Sequence, residues 1–222
     1  MTPEEKELQI RWMGKVRYRD ALAVQQAINK YERGDYLLLL EHHPVYTMGI
    51  RASLENLKID PETIGAELEE ANRGGDITFH GPGQLVGYPL LKLEGKRGGG
   101  MADTAAYVHE IENLLIETCK DLGIEDTGRI ERYPGVWVNP NGPEPRKIAA
   151  IGVRLNKART MHGFALNVNP DMAFYDHIVP CGITEYGVTS LKKEGINTTM
   201  KQVVDLVSEK AEKLWSHRKA IR

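Results

Sequence analysis

Thiols are scarce in this sequence, which contains two cysteines among 222 residues. Two cysteines do not provide the disulfide framework of a small secreted domain, so we expect reduced thiols and a cytoplasmic location. Apolar runs are short as well, and none approaches the roughly 20 residues needed to cross a bilayer. The first residues, MTPEEKELQIRW, lack the apolar segment of a secretory signal. The sequence therefore predicts no membrane partner.

An excess of charge is also lacking, since 29 basic and 31 acidic residues give a formal net charge of −2. This balance predicts no general attraction to nucleic acid or to anionic membranes. The seven histidines form no HxxxH pattern and CxxC does not occur, so we expect no metal site. The glycine patterns of P-loops and Rossmann folds are absent, which gives little support to a phosphate-binding loop.

Apolar periodicity predicts three helices and a larger number of strands. The helices are expected over about 16–31, 103–123 and 199–217. The strands are expected over 36–43, 76–80, 84–93, 135–140, 146–156 and 162–170, the last two forming a hairpin. No internal repeat or convincing linker interrupts the chain. This order predicts an α+β fold with helices packed on a mostly antiparallel or mixed sheet.

The two cysteines lie in different settings. Cys119 shares the apolar face of the predicted helix 103–123 with Ile111 and Leu115, which indicates a buried hydrophobic residue. Cys181 lies outside any helical pattern, in the turn-like segment VPCGI, and is a candidate nucleophile. Thiolate is the reactive form, and a thiol with an ordinary pKa near 8.5 needs a nearby cation at neutral pH. Lys147 is one candidate cation, although a solvated surface lysine is the simpler interpretation of that residue alone.

The predicted hairpin has one face of small residues. Ala150 and Gly152 on its first strand, and Gly163 and Ala165 on its second, lie opposite bulky residues such as Phe164. Side by side, these faces would leave a narrow apolar channel suited to a straight acyl chain. The alternative is the close approach of a helix, which small residues also permit.

Five segments resemble the lipoyl(octanoyl) transferases of the lipoate pathway. The segments are EHHPVYTMG, RGGDITFHGPGQLVGYPL, RKIAAIGVR, HGFALNVN and PCGI, in this order along the chain. The resemblance covers about residues 9–210 and implies a single octanoyltransferase domain over 1–222. That family is related in fold to the catalytic domains of biotin and lipoate protein ligases, which implies the same α+β architecture.

The resemblance implies a specific reaction. An octanoyl group passes from octanoyl-acyl carrier protein to a lysine of lipoyl domains, in 2-oxoacid dehydrogenase complexes and in the glycine cleavage H protein. Cys181 would carry the acyl group as a thioester, Lys147 would lower the pKa of its thiol, and no cofactor would be needed. Pro180 and Gly182 would hold the thiol with backbone donors free for an oxyanion. The implied substrate contacts are Arg73, Gly74, Gly75, Asp76, Ile77, Thr78, Phe79, His80, Ala150, Ile151, Gly152, Gly163, Phe164 and Ala165.

Two other functions stay open at this point. An ATP-dependent lipoate or biotin protein ligase on the same fold needs the strand lysine but no nucleophilic cysteine. Its glycine segment resembles RRxSGGG, whereas this chain has RGGDITFHGPGQ. A catalytically silent protein that binds lipoyl domains would form no acyl-enzyme. The segments around Cys181 and Arg73 favour the transferase.

Overall fold

A computed structural model describes residues 7–31, 34–93, 95, 102–156, 158–182 and 185–216. The helices are α1 (Tyr18–Tyr31), α2 (Thr104–Asp121) and α3 (Met200–Trp215). The strands are β1 (Leu8–Val16), β2 (Asp35–His42), β3 (Val45–Met48), β4 (Glu67–Glu70), β5 (Ile77–His80), β6 (Gln84–Leu90), β7 (Thr127–Ile130), β8 (Tyr133–Val138), β9 (Arg146–Asn156), β10 (Arg159–Asn167) and β11 (Gly187–Val188). None of these helices is long and apolar enough to span a membrane.

The strands form a large sheet and a small one. The large sheet has the order β1-β2-β6-β10-β9-β8-β7, and β11 pairs with β9. Only the β1–β2 and β9–β11 pairs are parallel among the described strands of this sheet. The small sheet has the order β4-β3-β5. The predicted α+β fold with a mostly antiparallel sheet is therefore confirmed.

Strand β2 shows why the large sheet has two buried faces. Leu37 and Leu39 join an apolar cluster with α2 and α3, whereas Leu38 and Leu40 join a second cluster with α1. All four side chains are buried because helices cover both faces of the sheet. A strand covered on both faces has a continuous apolar sequence instead of an alternating one. Cys119 of α2 is also buried in the first cluster, as predicted.

Strands β9 and β10 form the predicted hairpin, with a register that pairs small residues. Gly152 lies opposite Gly163, and Ala150 lies opposite Ala165. The neighbouring Phe164 packs into the cluster with α2 and α3, while Ala165 packs into the cluster with α1. The small-residue face of the hairpin therefore lies on the α1 side of the large sheet.

Candidate active site

A cleft lies against the small-residue face of the β9–β10 hairpin. It brings together most of the site residues expected from the sequence: Arg73, Gly75, Asp76, Thr78, His80, Ala150, Ile151, Gly152, Gly163, Phe164 and Ala165. The remaining lining residues are Tyr18, Val86, Tyr88 and His162, which were not among the expected contacts. Residues far apart in sequence thus share one cavity.

Three expected contact residues do not line this cleft. Ile77 and Phe79 are fully buried in an apolar cluster around Tyr46, next to the small sheet. Strand alternation explains this placement, because side chains two residues apart on β5 point to the same face. Thr78 and His80 therefore reach the cleft, whereas Ile77 and Phe79 pack into the apolar cluster on the opposite face of β5. Gly74 has no side chain, and its N–H donates to the Val153 carbonyl at 3.0 Å.

Arg73 organises the glycine-rich segment beside the cleft. Its buried guanidinium donates to the backbone carbonyls of Gly74 at 3.1 Å and Asp76 at 2.9 Å. It also donates to the carbonyl and hydroxyl oxygens of Thr47 at 2.7 and 2.8 Å. A Cβ at Gly152 would lie 2.9 Å from both Arg73 Cδ and the Gly74 carbonyl oxygen. Close approach is therefore correct at Gly152, but the segment that approaches is the glycine-rich one and not a helix.

Three buried imidazoles lie on the α1 side of the sheet: His42, His80 and His162. Burial lowers the pKa of His42 and of His162 to about 4. Burial likewise holds the pKa of His80 well below its usual value, with His42 and Arg73 nearby adding to the effect. All three rings are thus neutral at pH 7. The cleft, which His80 and His162 line, gains no positive charge from them.

Hydrogen bonds fix these neutral rings. His42 Nδ1 donates to the Val16 carbonyl at 2.8 Å, and its Nε2 accepts from the Tyr88 hydroxyl at 2.7 Å.

The Tyr18 ring stacks on the His80 ring with centroids 6.5 Å apart. The Tyr18 hydroxyl is buried and has no hydrogen-bond partner in the described part of the chain. No group of three or more His, Cys, Asp or Glu side chains in this same part is placed to hold a metal ion.

We expect acidification to destabilise the fold through these histidines. The unfolded chain binds a proton at each histidine near pH 6.5, whereas folded His42 and His162 do so only near 4. Between these values the unfolded state holds more protons, so the free energy of unfolding falls as pH falls. Each of these two histidines should lower the free energy of unfolding by about 2 kcal/mol between pH 7 and pH 5.

Urea unfolding at the two pH values measures this loss. His162→Gln removes one of the titrating groups and should lower the pH-dependent loss by about 2 kcal/mol. An equal pH dependence in the wild type and in this variant would show that His162 is protonated in the folded protein as readily as in the unfolded chain.

Lys147 is buried on β9, so its interpretation as a solvated surface lysine is wrong. Its Nζ donates to the Pro134 carbonyl at 3.3 Å and lies 4.7 Å from the centroid of the Trp137 ring. The Lys147 carbonyl accepts from the Thr189 N–H at 2.9 Å, and Val188 of β11 pairs with Lys147. The segment that follows Cys181 is thus bound directly to the strand that carries Lys147.

The turn that contains Cys181 lies beside the cleft. Pro180–Gly182 form a short 3₁₀ helix, and Gly182 has a φ of +67°, which glycine adopts readily. A Cβ at Gly182 would lie 2.7 Å from Asp76 Oδ2, so the turn contacts a cleft residue. The Gly182 N–H donates to the Val179 carbonyl at 3.1 Å, so the expectation of a free donor at this residue is wrong. The side chain of Cys181 lies outside the described residues.

Comparisons with known proteins agree on the family. A family model described as the lipoyl protein ligase A/B catalytic domain matches residues 17–212. An octanoyltransferase of Myxococcus xanthus is 46% identical, over 82% of this chain and 52% of the relative. The chain therefore spans about half the length of that relative. An octanoyltransferase of Acidobacterium capsulatum is 41% identical, over 93% of this chain and 89% of the relative.

Solved structures share the fold at low sequence identity. The bi-partite lipoate protein ligase of Thermoplasma acidophilum superposes with a TM-score of 0.74 and 16% identity, over 94% of this chain and 83% of that chain. The apo biotin protein ligase of Aquifex aeolicus gives a TM-score of 0.52 and 12% identity, over 93% of this chain and 68% of that chain. The fold expected from the sequence resemblance is thereby confirmed.

Proposed function

The chain belongs to the family of lipoyl protein ligase A/B catalytic domains, and within it we propose that the protein is an octanoyltransferase. It takes an octanoyl group from octanoyl-acyl carrier protein and attaches it to one lysine of a lipoyl domain. The acceptors are lipoyl domains of 2-oxoacid dehydrogenase complexes and the glycine cleavage H protein. The observation that carries this proposal is the buried Lys147, whose strand pairs with the segment that follows Cys181.

The proposed reaction has two half-reactions at Cys181. In the first, its thiolate attacks the carbonyl carbon of the carrier thioester, and the bond from that carbon to the carrier sulfur breaks. The carrier sulfur leaves as a thiol with a proton from the Lys147 ammonium group, which becomes neutral. In the second, the amine of the acceptor lysine attacks the enzyme thioester, an amide forms and the Cys181 thiolate is released. The attacking amine must lose a proton, and Lys147 in its neutral form is the proposed base. As a cation, Lys147 stabilises the thiolate.

The cleft is suited to the acyl chain. Val86, Ala150 and Ala165 provide apolar walls, and each methylene moved from water into such a site contributes about 0.8 kcal/mol. An eight-carbon chain thereby gains about 5 kcal/mol before ordering costs. The neutral imidazoles of His80 and His162 add no charge that an apolar chain would have to displace.

The ligase alternative is less well supported by the contacts of Arg73. A ligase must hold the phosphates of ATP with cations, and Arg73 is the buried arginine of the glycine-rich segment. Its guanidinium donates to oxygens of Thr47, Gly74 and Asp76. The Arg73 guanidinium, the cation of this segment that could bind phosphate, thus holds the glycine-rich segment together instead.

A transfer assay separates these functions. The protein is mixed with a lipoyl domain and either octanoyl-acyl carrier protein without ATP, or free octanoate with ATP, and the mass of the lipoyl domain is measured. We expect one octanoyl group on the domain in the first mixture and none in the second. Product only in the second mixture would indicate a ligase. Binding of the domain without product in either mixture would indicate a catalytically silent protein.

A further inference from the structure

Glu112 is a buried carboxylate that the proposed reaction does not use. It lies on α2 with 3% of its surface exposed. Its Oε1 accepts the Gly135 N–H at 3.0 Å, and its Oε2 accepts from the guanidinium of Arg129 and from His109 Nδ1. Burying a carboxylate is costly unless it is paired and hydrogen-bonded. Arg129 on β7 supplies the opposite charge at Oε2, and the Gly135 N–H donates a hydrogen bond to Oε1.

One peptide group joins Glu112 to Lys147. The N–H of Gly135 and the carbonyl of Pro134 belong to the same planar unit, and in a trans peptide they point in opposite directions. On one side this unit donates to Glu112 Oε1 at 3.0 Å, and on the other it accepts from Lys147 Nζ at 3.3 Å. A carboxylate and an ammonium group thus hold the two ends of one peptide dipole.

The conformation of Gly135 makes such an anchor necessary. Gly135 has a φ of +135°, and a Cβ there would lie 2.4 Å from the Ala149 carbonyl oxygen. Glycine is therefore required for the close approach of β8 to β9, but it also leaves the backbone free to adopt other angles. A hydrogen bond to a fixed carboxylate restricts the rotation of the 134–135 peptide.

We propose that Glu112 is a positioning residue for Lys147. By holding the 134–135 peptide, it keeps the Pro134 carbonyl directed at the ammonium group, which the Trp137 ring contacts from another side. The inference rests on the proposed function, in which Lys147 sets the reactivity of Cys181. The titratable and charged groups that contact the Glu112 carboxylate are His109 from its own helix and Arg129 from β7.

The reactivity of Cys181 against pH reports the position of Lys147. The rate of alkylation by iodoacetamide is followed by intact mass between pH 5 and pH 10, beside the rate of octanoyl loading. We expect Glu112→Ala to raise the midpoint, the pH at which the alkylation rate is half-maximal, by about one unit. The same substitution should slow octanoyl loading about tenfold at neutral pH. Glu112→Asp keeps the charge that pairs with Arg129 but shortens the reach to Gly135, and it should move the midpoint in the same direction.

Two controls separate positioning from a general loss of structure. Leu114→Ala removes apolar volume from the same helix and should leave the midpoint unchanged. In a Lys147→Met background, Glu112→Ala should cause no further shift, because the group that it positions is gone. A further shift in that background would overturn the proposal.

The remaining outcomes are also decisive. If wild-type protein does not accept an octanoyl group on Cys181, the proposed function fails. If wild type is loaded and folded Glu112→Ala titrates as wild type does, only the positioning role fails. If Glu112→Ala does not fold, Glu112→Asp decides the question, and a wild-type midpoint in that variant would contradict the proposal.

Discussion

Cys181→Ala is expected to abolish octanoyl transfer and to leave the protein folded. The substitution removes the proposed nucleophile, and the loss of such a group lowers turnover by about 10³-fold or more. The Pro180–Gly182 turn lies outside the apolar cluster that α2 and α3 form with the large sheet, so the fold should tolerate the change. Octanoylation of a lipoyl domain, measured by mass, gives the rate, and circular dichroism reports the fold.

Cys119→Ala is the matched control for this prediction. Cys119 is completely buried in α2, and burial raises the pKa of its thiol to about 12, so it stays protonated at neutral pH. A buried neutral thiol is not a nucleophile, and we expect Cys119→Ala to transfer octanoyl at the wild-type rate. Transfer that survives in Cys181→Ala, or that disappears in folded Cys119→Ala, would assign the reaction to another residue.

Lys147→Met is expected to slow both octanoyl loading and transfer by about 10²-fold or more. Methionine occupies a similar volume above Gly135 and Trp137 but carries no charge and no proton. Without the ammonium group the Cys181 thiolate loses its proposed stabilising cation, so the midpoint of alkylation against pH should rise. Alkylation followed by intact mass, beside single-turnover loading, measures both effects.

Lys213→Met provides a charge-matched comparison. Lys213 is exposed on α3 and contacts Glu209, so its replacement removes the same unit of charge far from any buried partner. We expect its alkylation midpoint and its loading rate to match those of wild type. A folded Lys147→Met protein with an unchanged midpoint would show that Lys147 does not act on Cys181.

The fold was predictable where the sequence is strongly periodic. The apolar face around Cys119 predicted α2, and the run before His42 predicted β2, because both patterns follow directly from burial. Strands β1, β3, β4, β7 and β11 were not predicted. β4 reads ELEE and half of it is exposed, so only its pairing with β3 makes it a strand. In such segments tertiary contacts decide the conformation more than local preference does.

The site was predictable in part. The motif segments identified the glycine-rich strand and the hairpin that together enclose the cleft. They do not include Tyr18 or Glu112, whose positions depend on tertiary packing, and His162 opens the segment HGFALNVN but was not among the expected contacts. An acidic residue on a helix is ordinarily solvated, so nothing in the sequence marks Glu112 as buried. The alternatives at Gly152 could be separated only when the position of Arg73 was known.

The most direct test of the proposed acyl-enzyme is the intact mass of the wild-type protein after mixing with octanoyl-acyl carrier protein. The mixture contains neither ATP nor a lipoyl domain and is quenched in acid. We predict a single octanoyl adduct that hydroxylamine removes, as expected for a thioester on Cys181. A folded protein that forms no adduct, and that acylates lipoyl domains only from free octanoate and ATP, would contradict this account.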